Sequence, residues 1–314
     1  MELTLRSITT EAQDIVSLEL VSPRNEALPP FSAGAHIDLK LGNGLTRSYS
    51  LVNDPAETHR YVVAVNKDPA SRGGSQYIHE QLRSGQSLEV SVPKNHFALV
   101  EDAPLVMLVG GGIGITPLYC MIQRLEALDK PWKLFYSARN RQKCAYLSQI
   151  MALEAKHPGR VQLHFMDEAG GVPDLKTILA AVPAAAHVYC CGPSAMLQAF
   201  EQATATRKPD TVHVEYFSAQ QEAAVAGGYE VMLARSQRSF QIQPGKTILD
   251  VLLAHGVAMS HACQEGVCGA CQTTVLEGTP DHRDSFLTPR EKSCGKTMLV
   301  CCSGSLSDRL VLDL

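Results

Sequence analysis

The first hundred residues carry short runs in which apolar and polar positions alternate. Ile15–Leu20, Ala35–Leu41, Tyr61–Val65 and Leu88–Val92 each read as a strand, with Gly, Pro, Asn and Asp between them. Many short strands with turn residues between them predict an antiparallel β-barrel or sandwich. The rhythm changes near Glu101–Pro104. Leu105–Val109 is an unbroken apolar run, as expected of a strand buried on both faces. A helix is predicted over Pro117–Leu128, a strand over Trp132–Tyr136 and a helix over Cys144–Ala155. Val161–Phe165, Val188–Cys191 and Val212–Phe217 read as further strands, Leu175–Val182 and Ala195–Thr206 as helices. Strand and helix in alternation predict a parallel sheet with helices on its faces. Ser218–Gly228, SAQQEAAVAGG, is small and polar and reads as a linker. From Tyr229 a strand signal, a hairpin and a short helix, Thr247–His255, precede a loop rich in cysteine. The expected division is 1–101, 102–218, a linker at 219–228, and 229–314. No internal repeat is evident.

Length agrees with this division. At about 150 residues per domain, 314 residues suggest two domains and allow three small ones. The chain is 45% hydrophobic and 19% charged, an ordinary globular composition. Its formal net charge of −4 gives no surplus of Lys and Arg to neutralise phosphates, which argues against a nucleic-acid binder. Met1–Thr4 has neither the cationic nor the apolar segment of a secretory leader, so none is expected. Ala103–Ile122 has no formal charge over twenty residues, the length of a membrane span. Three consecutive glycines and two prolines break it, so it reads as strand, turn and helix. No membrane association and a cytoplasmic location are expected.

The ten cysteines are unevenly placed, and five of them fall between Cys263 and Cys301. In a reducing compartment such a cluster points to metal or redox chemistry. Cys263-x4-Cys268-x2-Cys271, with Cys301 after 29 intervening residues, has the spacing of a plant-type [2Fe–2S] ligand set. The intervening QEGV and GA are small and contain glycine, so backbone N–H groups can turn toward the sulfurs. Structural zinc sites take two CxxC-like pairs or mix Cys with His, which this spacing fits poorly. Cys302 is expected on the opposite face of its strand from Cys301, as a core or surface thiol.

A second signal is Gly110-Gly-Gly-Ile-Gly-Ile-Thr-Pro117, after a buried strand and at the start of a helix. Thr116 suits the N-cap and Pro117 the first helical position. Glycines let a backbone approach a pyrophosphate, and a helix N-terminus favours its charge. The run is neither the Rossmann fingerprint nor a P-loop. Read alone, it is equally a tight turn with close packing. Cys191-Gly-Pro193 follows another buried strand, at the carboxyl end where open α/β sheets place ligands. Read alone, it is an ordinary helix start.

Arg47-Ser-Tyr-Ser50, Ser71-Arg-Gly-Gly-Ser75, Gly110–Pro117, Cys191-Gly-Pro193, Glu215-x-Phe217 and the cysteine loop occur in one order, with Asp281-His-Arg-Asp284 after the loop. Across the whole chain this resembles the phthalate dioxygenase reductase family, which includes vanillate demethylase reductases. The resemblance implies an FMN-binding antiparallel β-barrel, an α/β parallel-sheet nicotinamide domain and an α+β plant-type ferredoxin domain of β-grasp form.

It implies FMN contacts from Arg47, Ser48, Tyr49 and Ser50, from Ala64, Val65 and Asn66, and from Arg72, Gly73, Gly74 and Ser75. It implies NADH pyrophosphate contacts from Gly111, Gly112, Ile113, Gly114 and Thr116, with Thr116 near the flavin edge, and nicotinamide contacts from Cys191, Gly192 and Pro193. Glu215 either orients the nicotinamide or caps a sheet edge. Phe217 is expected against the flavin ring, and Ser50, Cys191 and Phe217 at the reacting centre. Cys263, Cys268, Cys271 and Cys301 are the implied cluster ligands. The implied activity is NADH-dependent electron transfer through FMN and the [2Fe–2S] cluster to a Rieske-type terminal oxygenase of an aromatic-acid dioxygenase or O-demethylase system, by a monomer. The alternative is a diaphorase-type flavoprotein that reduces another acceptor. Arg139 and Arg141, after the strand ending at Tyr136, keep a 2′-phosphate in play, and with it NADPH.

Overall fold

A computed structural model describes all 314 residues, and they divide into two compact units, Met1–Phe217 and Ser218–Leu314. The first unit opens with β1 (Glu2–Ala12), β2 (Ile15–Val21), β3 (His36–Lys40), β4 (Thr46–Ser50), β5 (Tyr61–Asn66), α1 (Gly74–Gln81) and β6 (Ser87–Val90). The strands form one antiparallel sheet in the order β4-β3-β6-β1-β2-β5. A bridge from Leu51 to Val63 brings the end of β4 back onto β5, so the sheet curls into a barrel. Inward positions alternate as the pleat requires: Leu3 and Leu5, Leu18 and Leu20, Ile37 and Leu39 are buried. β4 was not anticipated, because RSYS offers no apolar alternation. β1 and α1 were missed as well.

The chain continues through β7 (Val106–Gly111), α2 (Ile115–Ala127), β8 (Trp132–Ala138), α3 (Leu147–Lys156), β9 (Val161–Phe165), α4 (Met166–Ala169), α5 (Leu175–Ala180), β10 (His187–Cys191), α6 (Ser194–Thr204) and β11 (Val212–Glu215). The five strands are parallel, in the order β11-β10-β7-β8-β9. The strand order therefore reverses between β7 and β10, and such a switch point opens a crevice at the carboxyl ends. The barrel and this sheet pack together. The Tyr189 hydroxyl donates to the Ala98 carbonyl (3.1 Å) and accepts from the Val100 N–H (2.9 Å).

Two expected helix starts shift. A 3-10 turn over Gly112–Gly114 runs directly into α2, so the helix begins at Ile115 with Gly114 as its cap. Thr116 is therefore inside the first turn, and its hydroxyl donates back to the Ile113 carbonyl (3.0 Å). α3 begins at Leu147 rather than Cys144, because Tyr146 takes a left-handed φ of 58°.

The second unit contains β12 (Tyr229–Leu233), β13 (Arg238–Ile242), α7 (Ile248–Ala254), β14 (Gln272–Glu277), β15 (Pro280–Asp281), α8 (Pro289–Cys294), β16 (Thr297–Leu299), β17 (Gly304–Ser305) and β18 (Arg309–Leu312). Its main sheet runs β13-β12-β18-β14-β16, with β18 parallel to β12, and β15 pairs with β17. α7 is held by a reciprocal cap between Thr247 and Asp250 and buries Ile248, Leu249, Val251 and Leu252. The end of the expected linker is tied down, with Ala224 N–H donating to Cys302 O and Gly228 N–H to Ile242 O, both 2.8 Å. No helix is long and apolar enough to cross a membrane.

Candidate functional site

The first site lies where β4, α1 and the switch-point turns meet within the first unit. In the register of β3 and β4, Ile37 faces Tyr49, Asp38 faces Ser48 and His36 faces Ser50. Strand alternation puts Arg47 and Tyr49 on one face and Ser48 and Ser50 on the other. Ser48 Oγ donates to Asp38 Oδ1 at 2.6 Å, so its side chain is already engaged. Arg47 runs along the start of α1. A Cβ added at Gly74 would come within 2.9 Å of the Arg47 Cγ and Nε, so the Arg47 side chain would have to shift. Gly73 caps the helix with a left-handed φ of 89°, which a β-carbon disfavours. A guanidinium beside a helix start with no bulky cap suits a phosphate. Ser75 Oγ bonds Ser71 Oγ at 3.0 Å and closes the loop. Arg72 is exposed. Ala64 and Val65 are buried, so they offer a site only backbone, and the Val65 carbonyl already bonds His79 Nε2 (3.0 Å). Asn66 is exposed at the strand end.

The two turns at the switch point press closely together. Cys191 pairs with Gly110 on one side and with Glu215 on the other. A Cβ at Gly114 would lie 2.1 Å from the Cys191 carbonyl oxygen, and one at Gly111 would lie 2.7 Å from Met196 Sδ and Pro193 Cδ. These two glycines are required for packing whether or not a ligand is bound. Gly112 differs: its φ is 53° and nothing lies within 4 Å of where a Cβ would be. Its carbonyl accepts from the Tyr136 hydroxyl at 3.0 Å, which props the turn from β8. Open space over a glycine turn leading into a helix fits a dinucleotide pyrophosphate.

Glu215 joins the barrel to the switch point. It is half-buried as a residue, with its carboxylate turned inward. Its Oε2 lies 3.3 Å from Ser50 Oγ and 3.9 Å from Cys191 Sγ. Burial pushes its carboxyl up to about 8, and the Ser50 and Cys191 bonds oppose that shift. Ser50, Cys191 and Glu215 are thus brought together from three distant segments. Phe217, two residues past β11, keeps 38% of its surface exposed, so it is no core aromatic. Arg141 is clamped by Glu168 (2.6 and 3.0 Å) and its guanidinium lies 4.5 Å from the centre of the Phe165 ring.

The second site is the cysteine loop. Cys263, Cys268, Cys271 and Cys301 are all buried. Their thiols reach one another in a chain, Cys268 to Cys263, Cys263 to Cys301 and Cys301 to Cys271. Thiol-to-thiol bonding holds Cys263 and Cys271 down and pushes Cys268 and Cys301 up. The Glu265 N–H points at Cys263 Sγ (3.3 Å) and the Cys263 N–H at Cys268 Sγ (3.5 Å). Positive φ at Gln264, Gly266 and Gly269 turns the backbone to do this. Four buried sulfurs at plant-type spacing, with inward amides, fit a two-iron cluster. Cys301 and Cys302 lie in a turn after β16, not on a strand, so the expected opposite faces do not arise. Cys302 is a buried thiol whose Sγ would lie 2.5 Å from a Cβ at Gly266.

Tyr136, Tyr189 and Met196 were not anticipated as supports of the first site. Each acts across strands or between elements, and only the chain's topology could have revealed it.

Residues 108–202 match a family described as an oxidoreductase NAD-binding domain, and residues 231–304 one described as a 2Fe-2S iron-sulfur cluster binding domain. The phenoxybenzoate dioxygenase subunit beta of Ectopseudomonas oleovorans is 51% identical over 314 residues, 100% of this chain and 97% of its own length. The tetrachlorobenzoquinone reductase of Sphingobium chlorophenolicum is 47% identical over 317 residues, 100% of this chain and 98% of its own. The solved structure of phthalate dioxygenase reductase, described as modular for electron transfer from pyridine nucleotides to [2Fe–2S], superposes with a TM-score of 0.77 at 36% identity, covering 100% of this chain and 98% of that one. With the NAD-binding fold, the four-thiol loop and these full-length likenesses in hand, the chain belongs to the phthalate dioxygenase reductase family, the reductase components of aromatic oxygenase and O-demethylase systems.

Proposed function

We propose that this chain takes electrons from NADH through FMN and a [2Fe–2S] cluster and delivers them to a Rieske-type terminal oxygenase acting on an aromatic acid. The flavin part spans 1–101, the nicotinamide part 102–218 and the ferredoxin part 229–314. The observation that carries the reading is the convergence of Ser50, Cys191 and Glu215 at the switch point of a sheet whose own chain also bears the four-thiol set. Bound FMN would supply the conversion from a two-electron donor to a one-electron cluster.

Arg47, with the Gly73–Gly74 helix start, holds the flavin phosphate, and Tyr49 packs on the flavin from the same face of β4. The turn at Gly112–Gly114 receives the NADH pyrophosphate, and Cys191-Gly192-Pro193 flanks the nicotinamide. Glu215 is neutral at pH 7 and therefore keeps a proton, not a charge, beside Ser50. The exposed ring of Phe217 is available to cover a flat cofactor. Arg141 pairs with Glu168 at the surface, and NADH is the expected donor.

The test is identification of the flavin released from the purified protein, with an iron count. FMN and two irons per chain are expected; FAD, or no flavin, overturns the reading. The likeness to a quinone reductase favours a second reading, reduction of a quinone by the same two sites. Turnover with an aromatic-ring oxygenase set against turnover with a substituted quinone separates the two.

A further inference from the structure

Asp281-His282-Arg283-Asp284 takes no part in the function above, yet it lies between the two segments that bear the cluster cysteines. On one side, β15 pairs with β17, Asp281 opposite Gly304. The Arg283 N–H donates to Oγ of the fully buried Ser303 at 3.2 Å, two residues beyond Cys301. On the other side, the Ser285 N–H donates to the Gly266 carbonyl at 3.0 Å, between Cys263 and Cys268. A Cβ at Gly266 would lie 3.0 Å from Asp284 Cα, so the two backbones are in close contact.

The Asp284 side chain sets the shape of this strap. It has no exposed surface. Its Oδ2 accepts the N–H groups of Leu287 (2.7 Å) and Phe286 (3.2 Å) and lies 3.7 Å from Lys292 Nζ. The Lys292 ammonium also donates to the Asp284 carbonyl. Arg283 forks onto Asp281 at 2.9 to 3.1 Å and fixes the preceding residues. The other oxygen, Oδ1, is sealed from solvent with no hydrogen-bond partner and faces His282 Nδ1 at 3.6 Å.

We propose that Asp284 is a positioning residue of the iron–sulfur centre: its carboxylate folds residues 281–287 into a strap tying the loop of Cys263, Cys268 and Cys271 to the turn of Cys301. It thereby fixes the relation of the fourth ligand to the other three and places a carboxyl, with Lys292 Nζ 3.7 Å away, behind the loop. The proposal rests on the cluster reading, and both its sulfur geometry and its charge act on the potential.

The test uses the full chain with flavin and cluster bound, as Asp284→Asn and, separately, Ser303→Ala. The latter removes the Arg283 N–H acceptor without changing charge. The readouts are iron content, the EPR spectrum of the reduced cluster, its midpoint potential, and the rate at which NADH bleaches the flavin. Asp284→Asn is expected to shift the potential positive and alter the g-values, with flavin bleaching unchanged. Iron loss with intact flavin bleaching also supports the strap. Ser303→Ala is expected to alter the g-values with a smaller change in potential. Full iron with wild-type g-values and potential in both variants overturns the proposal. Absence of iron from the wild-type protein overturns the cluster reading instead.

Discussion

The two candidate sites are built in opposite ways. The cluster site is local: three of its four thiols fall within nine residues, on one loop whose positive-φ positions turn amides onto sulfur. The proposed nicotinamide–flavin site draws on Arg47, Gly74, Gly112, Cys191 and Glu215, no two of them on the same segment. In the first, chemistry dictates the local backbone. In the second, packing dictates it: Gly111 and Gly114 are small because another turn presses against them, and only Gly112 faces open space. A local site therefore fails when a ligand is removed, and an assembled site fails when its segments are forced apart.

The sharpest way to separate them is Cys301→Ser. Iron binding is expected to fall, and electron delivery to a one-electron protein acceptor to drop roughly 100-fold or more, while NADH still bleaches the flavin. Loss of flavin bleaching in this variant would show that the two sites are not independent. Next in size is Gly114→Ala, whose Cβ would meet the Cys191 carbonyl oxygen at 2.1 Å. Backbone cannot yield as a flexible side chain does, so about 3 kcal/mol of destabilisation is expected in denaturant unfolding, with weaker NADH binding and a normal cluster spectrum.

Glu215→Gln tests the junction through pH. The carboxyl ionises near 8 in the folded chain and near its ordinary 4.5 when unfolded. Between those values the folded state holds a proton that the unfolded state lacks, so wild-type stability falls as pH rises through this window. The slope is about 1.4 kcal/mol per pH unit at most. The variant should lose that slope and become the more stable protein above pH 8. A parallel pH dependence of both stability curves contradicts the assignment. The smallest effect is that of Tyr136→Phe, which removes the 3.0 Å bond to the Gly112 carbonyl. About 1 kcal/mol, or roughly fivefold in KM for NADH with kcat little changed, is expected from steady-state kinetics.

The same contrast explains what was legible in the sequence. The parallel sheet was readable because strands such as Leu105–Val109 and Val188–Cys191 are buried on both faces and read as apolar runs. The cysteine loop was readable because its candidate ligands are set by spacing. β4 was not, since Thr46–Ser50 is polar and becomes a strand only by pairing with β3. Thr116 was misplaced as a cap because the 3-10 turn at Gly112–Gly114 extends the helix start, and that turn depends on Cys191, seventy-odd residues away. Glu215 allowed two readings until the fold set its carboxylate beside Ser50. Cys302 was assigned to a strand face by period-two reasoning, which does not apply in the turn that holds it.

The central claim is that NADH reduces the cluster by way of the flavin. It is tested most directly by titrating the purified full-length protein with NADH under anaerobic conditions and following its visible spectrum. Flavin absorption and the broad iron–sulfur shoulder should both bleach, and an EPR signal of the reduced cluster should grow with them. A flavin that bleaches while the cluster stays oxidised, or a protein with no flavin band, contradicts the account.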